Sequence, residues 1–301
     1  MRALSNIAEA CPFRLAGRIA AINLTRNEEV QIERAIRSVQ GQVDEVFVID
    51  SLSTDKTVAI ARSCGATVFE HEFVSYADQV NWAIAQLPEN IEWVLRLDAD
   101  EYIGDQVDLR IEIHRLLDKD RDIAGVLCRR SIVFMEKYLR FGGMHKKSVL
   151  RLFRKNDAWC DSRLVDEHIR VQGSLAKGDI DIIDHDLKGI GFWVDKHNRY
   201  ADLEARQYLK EKEFRPLGEL GVTGWKFATF QQRKRRFYYV LPPVIRPLAY
   251  FFYRYVALGG FLDGYPGLCY SVLQAFWYRF LVEVRIREYQ AEAQDIEPQS
   301  P

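Results

Sequence analysis

The chain predicts an α/β fold: a mostly parallel, Rossmann-like sheet flanked by helices, followed by a C-terminal helical, basic-aromatic appendage. Three observations carry this expectation. Short apolar runs alternate with amphipathic helical stretches over the first hundred residues, the spacing of βαβ units. Apolar residues make up 48% of the 301, enough for one large domain with an appendage or for two domains. From Trp225 onward the composition turns aromatic and basic.

Each element follows in order. "RIAAINLT", Arg18 to Thr25, is an apolar run rich in strand formers. In "NEEVQIERAIRSVQG" the apolar positions Val30, Ile32, Ala35, Ile36 and Val39 make a helical stripe that Gly41 ends. "EVFVID" is the second buried strand, and "STDKTVAIARSCG" is a helix opened by capping residues and closed at Gly65. "ATVFEH" is a strand, "YADQVNWAIAQL" a helix, and "EWVLRLDAD" the fourth strand. Past Tyr102 the alternation weakens. "IAGVLCRRSIVF" and "SVLRLFRK" are further strands, with an antiparallel arrangement open to them, and "GFWVDKHNRYADLEARQYLKEKE" is a long helix. The expected division is a tail over 1–15, the α/β domain over 16–205, the appendage over 206–290 and a disordered tail over 291–301.

Several classes are excluded. The net charge of −1 predicts no nucleic-acid partner. Five scattered cysteines with no Cys-x-x-Cys pair argue against a disulfide framework and a zinc cage, and fit reduced, cytosolic thiols. The first 17 residues hold no continuous apolar run, so no signal peptide is expected. Neither glycine-rich phosphate loop occurs, which argues against a dinucleotide dehydrogenase and a P-loop NTPase.

Ligands of such sheets sit beyond the carboxyl ends of the strands. Here those ends are Thr25–Glu28, Asp50–Asp55 and Asp98–Glu101, all polar. The fourth strand delivers Asp98, Asp100 and Glu101 to one point. Carboxylates crowded at a core edge repel one another unless positive charge sits among them. A Mg²⁺ or Mn²⁺ ion suits Asp98 and Asp100 and implies a phosphorylated ligand, with the small Ala99 allowing close backbone approach. A solvated turn at the strand end is the other reading of this Asp-x-Asp.

With these residues in view, "AAINLTRNEE", "VFVIDSLSTDKT", "QVNWAIAQL" and "WVLRLDADE" resemble the family 2 glycosyltransferases of the GT-A fold. "LRLFRK", "VDEHI", "IIDHD", "VDKHNRYADLEA" and "GGFLDGYPGL" resemble the bacterial branch that includes lipopolysaccharide-core glucosyltransferases and exopolysaccharide glycosyltransferases. The resemblance implies inverting transfer of a sugar, glucose or a related hexose, from a UDP-sugar to a lipopolysaccharide-core or lipid-linked glycan. By motif, Thr25, Asn27, Glu28 and Asp50 would hold the nucleoside, with Gln79 and Asn81 lining the same pocket. Asp98 would contact the ribose or the metal's water shell, and Asp100 would bind the metal that bridges the diphosphate. His185 is a candidate extra metal ligand, and Arg151 a candidate partner for phosphate. The base expected to deprotonate the acceptor hydroxyl is Glu167, with Asp166 where the branch usually shows His. One departure is visible: Leu52 stands where many relatives have Gly, which strains it if the position needs positive φ.

Between Trp225 and Tyr289 ten basic residues face three acidic ones. The longest uncharged stretch, Gly264 to Tyr278, is 15 residues and contains Pro266, short of the roughly 20 a membrane span needs. The expectation is attachment to an anionic membrane surface at the cytoplasmic face. Cys269, Leu273, Phe276, Trp277, Phe280, Leu281 and Val284 would share the apolar helical face. The competing reading packs that face on the α/β domain or on another subunit. A nucleotidyltransferase and a non-catalytic assembly protein are the rival functions. The first would favour a Gly-rich basic loop after the first strand, and the second would be expected to have lost Asp-x-Asp or the base.

Overall fold

In the computed structural model, residues 17–104, 108–161, 169–214, 241–243 and 245–296 are described. Strands β1 (Arg18–Thr25), β2 (Glu45–Asp50), β3 (Thr67–Glu70) and β4 (Ile91–Asp98) alternate with helices α1 (Ile32–Val39), α2 (Thr57–Ser63) and α3 (Tyr76–Gln86). Then come β5 (Glu101–Ile103), α4 (Leu109–Leu117), β6 (Ile123–Phe134), β7 (Lys137–Tyr138), β8 (Lys147–Arg154), β9 (Ala158–Cys160), β10 (Ile169–Val171) and β11 (Ser174–Asp184). The large sheet runs β3-β2-β1-β4-β8-β6-β11-β5. β1 to β4 are parallel, β8 is antiparallel to both β4 and β6, and β11 is parallel to β6. β6 and β11 therefore point the same way as β4, and their carboxyl ends join the same edge.

Side chains alternate across each strand, and β1 shows the result. Ile19 and Ala21 face a core with Trp93, Leu95, Leu109 and Ile113, whereas Ala20 and Ile22 face one with Val94, Phe153 and Ala83. Helices α1, α2 and α4 cover the first face and α3 the second. Capping sets two of these helices: Ser75 accepts from the Asp78 N–H, and Asp108 accepts from Arg110 and Ile111. Helix α4 and strands β5 and β11 lie in the region where the sequence shows weak alternation.

Helix α5 (Gly189–Phe214) leaves the sheet edge and runs without a break past residue 205. The chain then adds α6 (Ile245–Phe252), a π-helical turn Tyr253–Ala257, a 3₁₀ turn Gly260–Asp263, α7 (Gly264–Tyr270), a π-helical stretch Ser271–Trp277 and α8 (Tyr278–Ile296). Ala201 and Ala205 of α5 pack on Tyr278, Val282 and Ile286 of α8. Two corrections follow. The helix continues to Ile296, six residues into the tail expected to be disordered. The buried face of the last helices is Tyr270, Ala275, Tyr278, Val282 and Ile286, while Phe280 and Val284 are exposed. The π-helical stretch puts extra residues into the turn, so a stripe counted at a regular helical period drifts off the real face. Among the described residues, no helix is long and apolar enough to cross a membrane.

Candidate active site

The sheet edge gathers the ends of β1, β2, β4 and β11. Thr25 and Asp50 pair in the parallel register of β1 and β2. The Thr25 hydroxyl donates to Asp50 Oδ1 at 3.0 Å, and the Ser53 amide donates to Oδ2 at 2.7 Å. Asn27, at φ 57°, accepts from the Thr54 amide at 2.8 Å while its own amide donates to Ser53 Oγ. Asp50 is thus a buried carboxylate held by hydroxyls and an amide, in a rim stitched across two strand ends. Leu52 in this rim has φ 56°, the left-handed conformation that its replacement of Gly made a concern. Glu28 meets Lys188 Nζ at 2.6 Å. Burial raises the Glu28 pKa, and the lysine opposes that rise only in part.

The Asp98–Glu101 cluster finds most of its countercharge inside the protein. Asp98 is ion-paired with Arg96 and with Arg151 at 3.0 Å. Glu101, 1% exposed, meets Arg151 at 2.6 Å and Arg130 at 3.5 Å. Burial alone would raise the Asp98 pKa, but the Arg96 and Arg151 guanidiniums outweigh it and hold the carboxyl well below its usual range. This corrects the expectation that a metal supplies the missing positive charge: arginines neutralise Asp98 and Glu101. The buried Arg151 guanidinium is engaged by these two carboxylates.

Asp100 is different. Its main-chain carbonyl accepts from the His185 amide at 2.9 Å, joining the ends of β4 and β11. Among the described residues its carboxylate meets a lysine: Lys196 Nζ of α5 lies 3.2 Å from Asp100 Oδ2 and 3.9 Å from Asp186 Oδ2. Burial works against the Lys196 charge, yet Asp100, Tyr200 and Asp186 raise its pKa above the ordinary value. Two carboxylates converging on one cationic point fit a hard divalent ion, which takes oxygen donors and leaves its other positions to water and phosphate. Among the described residues no group of three or more His, Cys, Asp or Glu is drawn together as a ready ligand cage. The His185 ring lies against Arg34 at Nδ1 and Glu136 at Nε2, 3.2 Å each.

The remaining expected residues divide. Ala99 packs under α1 with Ile32 and Ile36. Gln79 is 1% exposed and donates to the His71 carbonyl at 2.9 Å, beside β3, with its Oε1 unpaired. Asn81 stands apart from the carboxylates: it clamps the Cys160 backbone, donating at 3.0 Å and accepting at 2.8 Å. Cys160 pairs with Ile169, so Asn81 anchors the stem of the segment carrying Asp166 and Glu167. Those two residues lie outside the described ones.

Sequence reasoning missed the roles of Arg34, Arg96, Arg130, Asp184, Asp186 and Lys196. A signal existed for some of them. Arg96 interrupts the apolar run "WVLRLD", and a charge inside a buried strand must have a partner. Burial lifts the Asp184 pKa to about 6 despite its ion pair with Arg130, with Asp100 and Glu101 adding to the rise.

Residues 21–164 match the family model described as glycosyl transferase family 2. The chain is 29% identical over 294 residues to an uncharacterized glycosyltransferase of Rickettsia typhi, covering 93% of this chain and 90% of that one. It is 42% identical over 111 residues to another from Rickettsia bellii, covering 36% and 37%. Among solved structures, glucosyl-3-phosphoglycerate synthase of Mycobacterium tuberculosis, crystallised with Mn²⁺ and UDP, shows 23% identity. The overlap covers 39% of this chain and 45% of that chain, with a TM-score of 0.32.

Proposed function

With residues 21–164 a domain of glycosyl transferase family 2, we propose that the protein is an inverting transferase. It moves a hexose, glucose or a close relative, from a UDP-sugar to a lipid-linked or lipopolysaccharide-core glycan. The observation that carries this is the single edge on which the Asp50 rim and Asp100 converge. A nucleoside needs hydrogen-bond acceptors and a shaped rim, and the Thr25–Asp50–Ser53 cluster with Asn27 and Gln79 offers both.

Asp100 and Asp186 would hold Mg²⁺ or Mn²⁺, which when bound offsets the charge growing on the departing diphosphate. The Arg151 ties to Asp98 and Glu101 keep the β4 end rigid, so Asp100 is presented without reorganisation. Glu167 is the proposed base, taking the acceptor hydroxyl proton as the oxygen attacks the anomeric carbon opposite the diphosphate.

The test is a panel of nucleotide-sugars, scored by thermal stabilisation with Mn²⁺ and with chelator. One UDP-sugar should stand out and lose its effect in chelator. Glu167→Gln should lower turnover by roughly a thousandfold or more with UDP affinity unchanged. Near wild-type turnover in that variant would remove the assignment.

We further propose that the protein sits at the cytoplasmic face of the membrane. In support, Phe252, Val256, Phe261, Leu262 and Tyr265 are each about half or more exposed on the C-terminal helices.

A further inference from the structure

The positive charges at this edge differ in how firmly they are held. Arg96 and Arg151 are buried at 6% and 7% exposure, and each makes an ion pair with Asp98. Arg130 is paired with Asp184, and Lys188 is 2.6 Å from Glu28. Among the described residues, Lys196 has the longer contacts to Asp100 and Asp186, and its side chain is 28% exposed. It comes from α5, outside the sheet, on a four-carbon stem that turns freely at its end. The rest of that helix face is fixed. The His197 ring stacks on Trp193 at 3.5 Å, and Ala201 and Ala205 are fully buried.

An ammonium and a divalent cation cannot share one carboxylate oxygen cheaply, because like charges repel across a few ångströms. Resting on the glycosyl-transfer reading above, we propose that Lys196 is a tethered counter-ion. It offsets part of the charge of Asp100 and Asp186 in the empty enzyme, yields Asp100 to the arriving metal, and then binds the diphosphate of the donor. It is thus a diphosphate-binding residue contributed by helix α5 rather than by the sheet. The device keeps the two carboxylates partly compensated in the absence of donor. It also lowers affinity for free metal and so favours joint binding of metal and nucleotide.

The test uses the full-length chain and two probes, MnCl₂ alone and UDP. Free Mn²⁺ is read by electron paramagnetic resonance and UDP by calorimetry, with melting curves confirming that each variant is folded. Lys196→Met should bind Mn²⁺ alone about tenfold more tightly, and UDP at saturating Mn²⁺ about tenfold more weakly. Lys196→Arg, which keeps the charge, should hold both constants within about threefold of the parent. Unchanged or weaker Mn²⁺ binding in Lys196→Met overturns the displacement, as does an Arg variant that behaves like the Met variant. UDP binding that is independent of Mn²⁺ in the parent and lost in Lys196→Met also overturns it, because the lysine would then replace the metal. A parent chain that binds Mn²⁺ but no UDP overturns the donor reading, while the Mn²⁺ comparison still judges the displacement.

Discussion

Leu52 shows how far a single residue can be interpreted. Its φ of 56° is costly for a residue with a Cβ, and its side chain is 55% exposed, so packing does little to repay it. Leu52→Gly should be neutral or stabilising by up to about 1 kcal/mol, because relief of strain is offset by the freer unfolded chain. Leu52→Val, β-branched in a left-handed position, should cost about 1 kcal/mol or more. Melting temperatures of the two variants check both signs. Arg151 carries a larger stake. Arg151→Met would leave Glu101 almost fully buried with the 3.5 Å contact to Arg130 as its remaining countercharge, so a loss of about 3 kcal/mol is expected in urea unfolding. The strained loop was legible because one residue departed from a pattern. The arginine partners were not, because a strand position does not reveal what the next strand brings beside it.

At the scale of elements, the limits of β1 and β2 coincide with largely apolar runs in the chain, because strands buried on both faces are largely apolar. β11 escaped because "SLAKGDIDIID" carries charges that its neighbours neutralise. Arg129 meets Asp181 at 2.6 Å, and Arg130 pairs with Asp184. Helix α5 brings a pH signature. Burial depresses the His197 pKa to about 4 from an ordinary 6.5. Between those values the unfolded chain binds more protons than the folded one, so stability falls as pH drops from 6.5 toward 4. Asp184, raised to about 6 by burial, acts oppositely: the folded chain holds the extra proton, and stability falls as pH rises through that range. His197→Gln should therefore flatten the acid side of the stability profile by about 1–2 kcal/mol, and Asp184→Asn should steepen it. Denaturant midpoints at pH 4.5 and 6.5 decide this.

For the whole molecule, the β6–β8 connection and the C-terminal helices are one body. Asp263, 3% exposed, accepts from the Arg140 and Phe141 amides at 3.1 and 2.9 Å, and Lys137 donates to its carbonyl. A Cβ on Gly267 would come within 2.3 Å of the Gly260 carbonyl oxygen, which accounts for the last glycine of "GGFLDGYPGL". Outward from this staple point Phe261 and Leu262, about half exposed. Replacing both with Glu should reduce co-sedimentation with anionic vesicles several-fold while leaving UDP binding intact, if this face meets the membrane. Equal pelleting would remove that placement.

The unbroken run of α5 has a practical corollary. A recombinant fragment trimmed to the sheet would keep every strand-end carboxylate yet lose the ammonium reaching Asp100 and the alanine seam that aims it. Grafts and chimaeras between relatives should therefore exchange the sheet and its trailing helices together, or inherit a charge imbalance at Asp100.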